Sequence, residues 1–143
     1  MNTRVKDKIE EIETYLSELT DIIPEDFKEY KKNTLKKAAC ERYFEKIVEA
    51  GVDLAFLFIR EKKFKSPEED KEAFDILAKE KIISEYLAER LKDAKSMRNI
   101  LAHKYGKVND KIVFTSVKEE LEKDIKEFIS KLQEQKKSKN GKQ

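Results

Sequence analysis

The stretch Val5-Lys-Asp-Lys-Ile9-Glu-Glu-Ile12-Glu-Thr-Tyr-Leu16-Ser-Glu-Leu19 decides the fold class. Its apolar side chains recur four, three, four and three residues apart, with charged residues between them. That spacing places them on one stripe of an α-helix and on no face of a strand. The reading predicts a first helix from about Thr3 to Leu19. Asp21 to Asp26 then breaks it, and Pro24 is placed to open the next helix. A second, long helix is predicted from about Glu25 to Glu61. Its apolar set includes Leu35, Ala38, Ala39, Ile47, Val48, Val52, Ala55, Phe56 and Ile59. Between Leu54 and Ile59 it is apolar on nearly every side, which makes it either central or buried against a second chain. Gly51 is a mild flaw there, costing about 1 kcal/mol relative to Ala, and it leaves room for another helix to approach.

Further along, Ser66-Pro67-Glu68-Glu69 reads as a capping box opening a short third helix with Ala73, Phe74, Leu77 and Ala78. Ser84 is placed to cap a fourth, which carries Leu87, Leu91, Ala94, Arg98 and Leu101 and is read toward Tyr105. Gly106 to Lys111 is a turn, and Ile112-Val113-Phe114 a short extended link. Ser116 and Glu119 form a further capping box, opening a fifth helix through Val117, Leu121, Ile125, Phe128, Ile129 and Leu132. The prediction is an all-α, antiparallel bundle of about five helices, a single domain over residues 1–134. Residues 135–143 lack periodicity and are expected as a frayed tail.

Composition limits the function. The chain has 143 residues, 43% of them charged, yet 32 basic and 30 acidic residues leave a net charge of only +2. A general polyanion binder would be more lopsided, so contact with nucleic acid needs a local patch. Three glycines, at 51, 106 and 141, make no phosphate-binding loop, and no Gly-x-Ser-x-Gly elbow is present. Cys40 has no second cysteine to pair with, and one cysteine with one histidine cannot form a Cys/His zinc site. Cys40 sits among Ala38, Ala39 and Tyr43 and reads as a core thiol rather than a nucleophile. No secretory signal or membrane span is read, so a cytoplasmic protein is expected.

What remains is the segment around His103, the single histidine. At about 100° per residue, Arg98, Asn99 and His103 fall at roughly 0°, 100° and 140° around a helix, on one broad side. Arg98 occupies the seam of Leu87, Leu91, Ala94 and Leu101, where a cation is costly unless paired. It therefore points to a groove or an interface. These groups suit RNA cleavage. Histidine titrates near neutrality and can move a proton between the 2′-hydroxyl and the leaving 5′-oxygen. Arginine presents a fixed cationic fork to the phosphate oxygens, and asparagine can orient the imidazole or donate to phosphate. One histidine cannot readily be both acid and base, so a two-fold dimer is implied. The opposing reading is Arg98 stacked on Tyr105 at an interface, with His103 merely exposed. Glu41, Glu45, Glu49 and Asp53, four apart, are either a solvated face paired with lysines or a negative stripe orienting a partner or an active-site Arg.

Arg98-x4-His103-x-Tyr105 matches the Arg-x4-His-x-Tyr motif of HepT toxins of the HEPN superfamily. The runs Ala73–Leu77, Ile82–Ser84 and Met97–Tyr105, with Arg42, Glu45, Glu49 and Asp53 before them, resemble that family over about Val5 to Leu132. The resemblance implies a helical homodimer with two motifs facing one cleft. It implies a metal-independent ribonuclease with no cofactor, with Arg98 and His103 catalytic and Asn99 and Tyr105 supporting. It also implies a neighbouring MntA-type minimal nucleotidyltransferase antitoxin that transfers AMP to Tyr105. Ala102 and Lys104 depart from many relatives; neither removes a catalytic group, and Lys104 could add an RNA contact. The competing expectations are a non-catalytic module gripping a nucleotidyltransferase or RNA, and a plain helical scaffold.

Overall fold

The computed structural model describes residues 1–103 and 108–141, with side chains to Gln135. Every described element is helical. Helix α1 (Thr3–Ile22) is capped by Asn2, whose side chain accepts from the Val5 amide at 2.9 Å, and it buries Val5, Ile9, Ile12, Leu16 and Leu19. These are the five residues of the predicted stripe.

The predicted second helix is two helices. Asp26 caps α2 (Phe27–Lys32), and Asn33 ends it in an extended conformation and caps α3 (Thr34–Lys62), accepting from the Lys36 amide at 3.0 Å. An asparagine side chain competes with the helix for backbone N–H groups, which makes Asn33 a start rather than an interior residue. The residues just after the break do not join the core: Leu35 is 84% exposed, although the apolar pattern counted it inside. From Cys40 to Ile59 α3 is the central helix, burying Phe44, Ile47, Val48, Leu54, Ala55 and Phe58.

Cross-links fix the direction of α1 against α3. Asn2 meets Glu61, Lys8 meets Asp53 at 3.6 Å, and Glu18 meets Tyr43 at 3.1 Å, so the two run antiparallel. Helices α4 (Asp70–Lys79) and α5 (Glu85–His103) are antiparallel too, joined by Asp70–Lys95 at 3.1 Å and Asp75–Lys92 at 2.9 Å. The capping box read at Ser66 does not form: α4 starts three residues later than Pro67, after Glu69, which gives no side-chain cap. Ser84 does cap α5, accepting from the Leu87 amide at 3.0 Å.

Ile112-Val113-Phe114 is not an extended link but lies in α6 (Asp110–Thr115), capped by Asn109, whose side chain accepts from the Ile112 amide at 3.1 Å. A π-helical turn over Ser116–Leu121 joins α6 without interruption to α7 (Glu122–Gly141). Ser116 is therefore inside a helix, and its hydroxyl donates to Glu120 at 3.2 Å instead of capping. Helical geometry lets Val113, Phe114, Val117, Leu121, Ile125, Phe128, Ile129 and Leu132 all reach the core. Phe114 stacks at a tilt on buried Tyr30 (centroids 5.0 Å apart), tying α6 to α2, and Phe74 meets Phe128 edge-on at 5.8 Å, tying α4 to α7. Helix α7 runs on past Gln135 to Gly141.

Gly51 faces α7, but a Cβ built there would lie 3.5 Å from Ile125 Cδ1, an ordinary contact. Close approach does not require glycine at this position.

Candidate active site

Helix α5 supplies Arg98, Asn99 and His103. Its buried residues Leu87, Ala88, Leu91 and Leu101 seat it on the core, and that packing sets the direction of every other side chain on it. Arg98 lies half-buried in the seam, as its spacing requires, with 20% of its side chain exposed. The cation is paired there: Arg98 Nη2 is bound to the Glu49 carboxylate of α3, and Nη1 donates to Asn99 Oδ1 at 3.3 Å. Arg98 Nε is enclosed and has no hydrogen-bond partner among the described residues.

Of the four spaced carboxylates on α3, packing selects Glu49 for the arginine. Asp53 instead pairs with Lys8. The stripe thus splits between the two readings it admitted, with one member orienting the candidate arginine and another paired to a lysine. The Asn99 carboxamide oxygen is engaged by Arg98, so any contact of Asn99 with a phosphate falls to its Nδ2 donors. His103 is the last residue of α5 and is exposed, as is Ala102 before it; Ile100 is 43% exposed. Five residues advance a helix by roughly 7.5 Å and turn it by about 140°. One chain therefore offers a guanidinium anchored toward α3 and an imidazole at the last residue of the same helix. Lys104 and Tyr105 lie outside the described residues.

Two features escaped the sequence reading. Lys95 is the buried charge of α5, held against Asp70 at the start of α4. A cavity of about 190 Å³ lies between α3, α5 and the π-helical turn, lined by Phe44, Arg90, Met97, Ser116, Glu120 and Asp124. Arg90 is occupied by Asp124 at 3.0 Å and Glu120 at 3.4 Å, which raise its pKa further. Cys40 is fully buried, and burial pushes its thiol to about 11, so it behaves as a core group. Among the described residues no three His, Cys, Asp or Glu side chains are grouped as a metal ion needs, and no helix is long and apolar enough to cross a membrane.

Comparison with known proteins gives a consistent picture. A family model described as ribonuclease HepT-like matches residues 12–132. The mRNA nuclease HepT of Shewanella oneidensis is 26% identical over 129 residues, covering 90% of this chain and 96% of that one. The structure of a tri-AMPylated Shewanella oneidensis HEPN toxin in complex with MNT antitoxin superposes with a TM-score of 0.85 at 26% identity, over 93% of this chain and 98% of the other. A toxin–antitoxin crystal structure with AMP-PNP follows, with a TM-score of 0.84 at 25% identity over 92% and 99% of the two chains.

Proposed function

The chain belongs to the HepT-like ribonuclease family, and we propose on that basis that it is a metal-independent endoribonuclease, the toxin of a HepT/MntA-type pair. The observation that carries this reading is the family match across residues 12–132, which includes Arg98 and His103. The described half-buried, anchored arginine and exposed histidine on α5 support it chemically.

In the proposed reaction the RNA 2′-hydroxyl gives its proton to an imidazole, and its oxygen attacks the adjacent phosphorus. The bond to the 5′-oxygen breaks, and that oxygen takes a proton from an imidazolium. The products are a 2′,3′-cyclic phosphate and a free 5′-hydroxyl. Arg98 neutralises the non-bridging oxygens, where charge gathers at the transition state. His103 is the proton carrier. A two-fold homodimer would supply a second imidazole at the shared cleft, so that base and acid are separate groups.

Regulation follows from the same site. A nucleotidyltransferase antitoxin would direct the Tyr105 phenol oxygen at the α-phosphorus of ATP, releasing pyrophosphate and leaving AMP on the ring. The support is the AMPylated, MNT-bound state of the Shewanella oneidensis toxin. The attached phosphate would put negative charge where RNA phosphate must bind. Such a pair acts on cellular RNA and belongs in the cytoplasm.

The test is RNA cleavage by purified protein in EDTA, with Arg98→Ala and His103→Ala both inactive and still dimeric by sedimentation. Cleavage that survives both substitutions would end the proposal. Intact mass after co-expression with the nucleotidyltransferase should show AMP units that Tyr105→Phe does not accept.

A further inference from the structure

Arginine has five N–H groups, and the structure accounts for three of them at Arg98. One on Nη2 goes to Glu49, one on Nη1 goes to Asn99, and the Nε–H is enclosed. One N–H on each terminal nitrogen has no partner among the described residues, the number a bidentate phosphate contact uses. Glu49 reaches the guanidinium from a different helix, 49 residues away in sequence. It is therefore fixed independently of α5. Asn99 is the neighbour of Arg98 on its own helix and moves with it.

We propose that Glu49 is a positioning residue for RNA cleavage: from α3 its carboxylate fixes the direction of the Arg98 guanidinium, so that the other N–H of each terminal nitrogen is aimed at the scissile phosphate. This rests on the reading that Arg98 acts on RNA. Two opposing effects give the inference its signature. A carboxylate beside a phosphate repels it and weakens substrate binding. The same carboxylate orders the cation, and misplacing a catalytic group by about 1 Å lowers rates on the order of 100-fold. Removing Glu49 should therefore lower kcat while leaving KM unchanged or reduced. A residue that only held α3 to α5 would lower the melting temperature and leave kcat per folded molecule unchanged.

The experiment compares Glu49→Ala with Glu49→Gln in the full-length protein, using a short RNA in EDTA. Gln keeps an oxygen acceptor and loses the charge. Glu49→Ala should lose roughly 100-fold in kcat without a rise in KM. Glu49→Gln should stay within about ten-fold of wild-type kcat, on the scale of one neutral hydrogen bond replacing a charged one, and should bind RNA more tightly. Wild-type kcat in Glu49→Ala overturns the proposal, as does an equal loss in both variants. A second readout needs no turnover: nitrogen-15 NMR of the guanidinium should show a restricted Arg98 Nη signal in wild type and Glu49→Gln, averaged in Glu49→Ala. Persistence of the restricted signal in Glu49→Ala also overturns the proposal. Failure of the ribonuclease reading is seen separately, in a wild-type protein that does not cut RNA, and that result removes the catalytic role of Glu49 with it.

Discussion

Replacing Arg98 by lysine keeps the charge and removes the fork, so it separates the two things an arginine can contribute. In the structure the guanidinium serves Glu49 and Asn99 with different nitrogens and, among the described residues, has one N–H left on each. A lysine ammonium is a single point with three donors. If it keeps Glu49 it cannot also serve Asn99 and grip two phosphate oxygens. The variant should lose one charge-assisted hydrogen bond in the transition state, worth about 1.5–3 kcal/mol. At 1.36 kcal/mol per tenfold, that is a loss of roughly 10- to 150-fold in kcat. Because net charge is unchanged, the salt dependence of RNA affinity should keep its wild-type slope. Single-turnover cleavage of a fluorescent RNA in EDTA gives the rate, and titration at several salt concentrations gives the slope. A rate for Arg98→Lys within two- to three-fold of wild type would show that charge alone suffices, and the fork argument would fail.

Other outcomes follow from the packing. Gly51→Ala should raise stability by about 1 kcal/mol, because helix propensity favours Ala and its Cβ meets Ile125 at an ordinary distance; a lower urea midpoint would show that the α3–α7 contact cannot accept a methyl. Asn109→Ala should cost about 1 kcal/mol by removing the cap of α6, seen as a lower melting temperature in circular dichroism. The Cys40 thiol, pushed up to about 11 by burial, should ignore a thiol reagent at pH 8 in the native state and react on unfolding. Its folded pKa lies above the ordinary value of 9.0, so its contribution to stability is whole below pH 9 and falls as pH rises toward 11. Urea midpoints for Cys40→Ala should decline less than those of wild type across that window.

The fold was legible where periodicity and burial coincide. Every apolar position named in α1 is buried, and the all-round apolar run Leu54–Ile59 does lie in the central helix. It was not legible where a side chain competes with the backbone. Asn33 looks harmless inside a long helical pattern, and Leu35, Ala38 and Ala39 continue the pattern past it, yet its carboxamide caps a new helix. Ile112-Val113 are β-branched and read as extended, but only a helix lets Val113, Val117 and Leu121 share the core. The candidate site was legible as residue types. The odd placement of Arg98 in an apolar seam forecast that it must be paired. Its partner was not legible, because Glu41, Glu45, Glu49 and Asp53 are equivalent by spacing. Only the packing of α5 on α3 distinguishes Glu49. Lys95 was missed because no stretch of sequence near it contains Asp70.

In the proposed cleavage the nucleophile is the RNA's own 2′-hydroxyl, activated by an imidazole and steadied by Arg98, with no metal ion taking part. A short RNA with one cleavage position, compared in EDTA with the same strand carrying a single 2′-deoxynucleotide on the 5′ side of that bond, measures this directly. The all-RNA strand should be cut to a 2′,3′-cyclic phosphate and a 5′-hydroxyl, and the substituted strand should stay intact at that bond. Equal cleavage of both strands, or activity that appears only when a divalent cation is added, would rule out attack by the 2′-hydroxyl without metal.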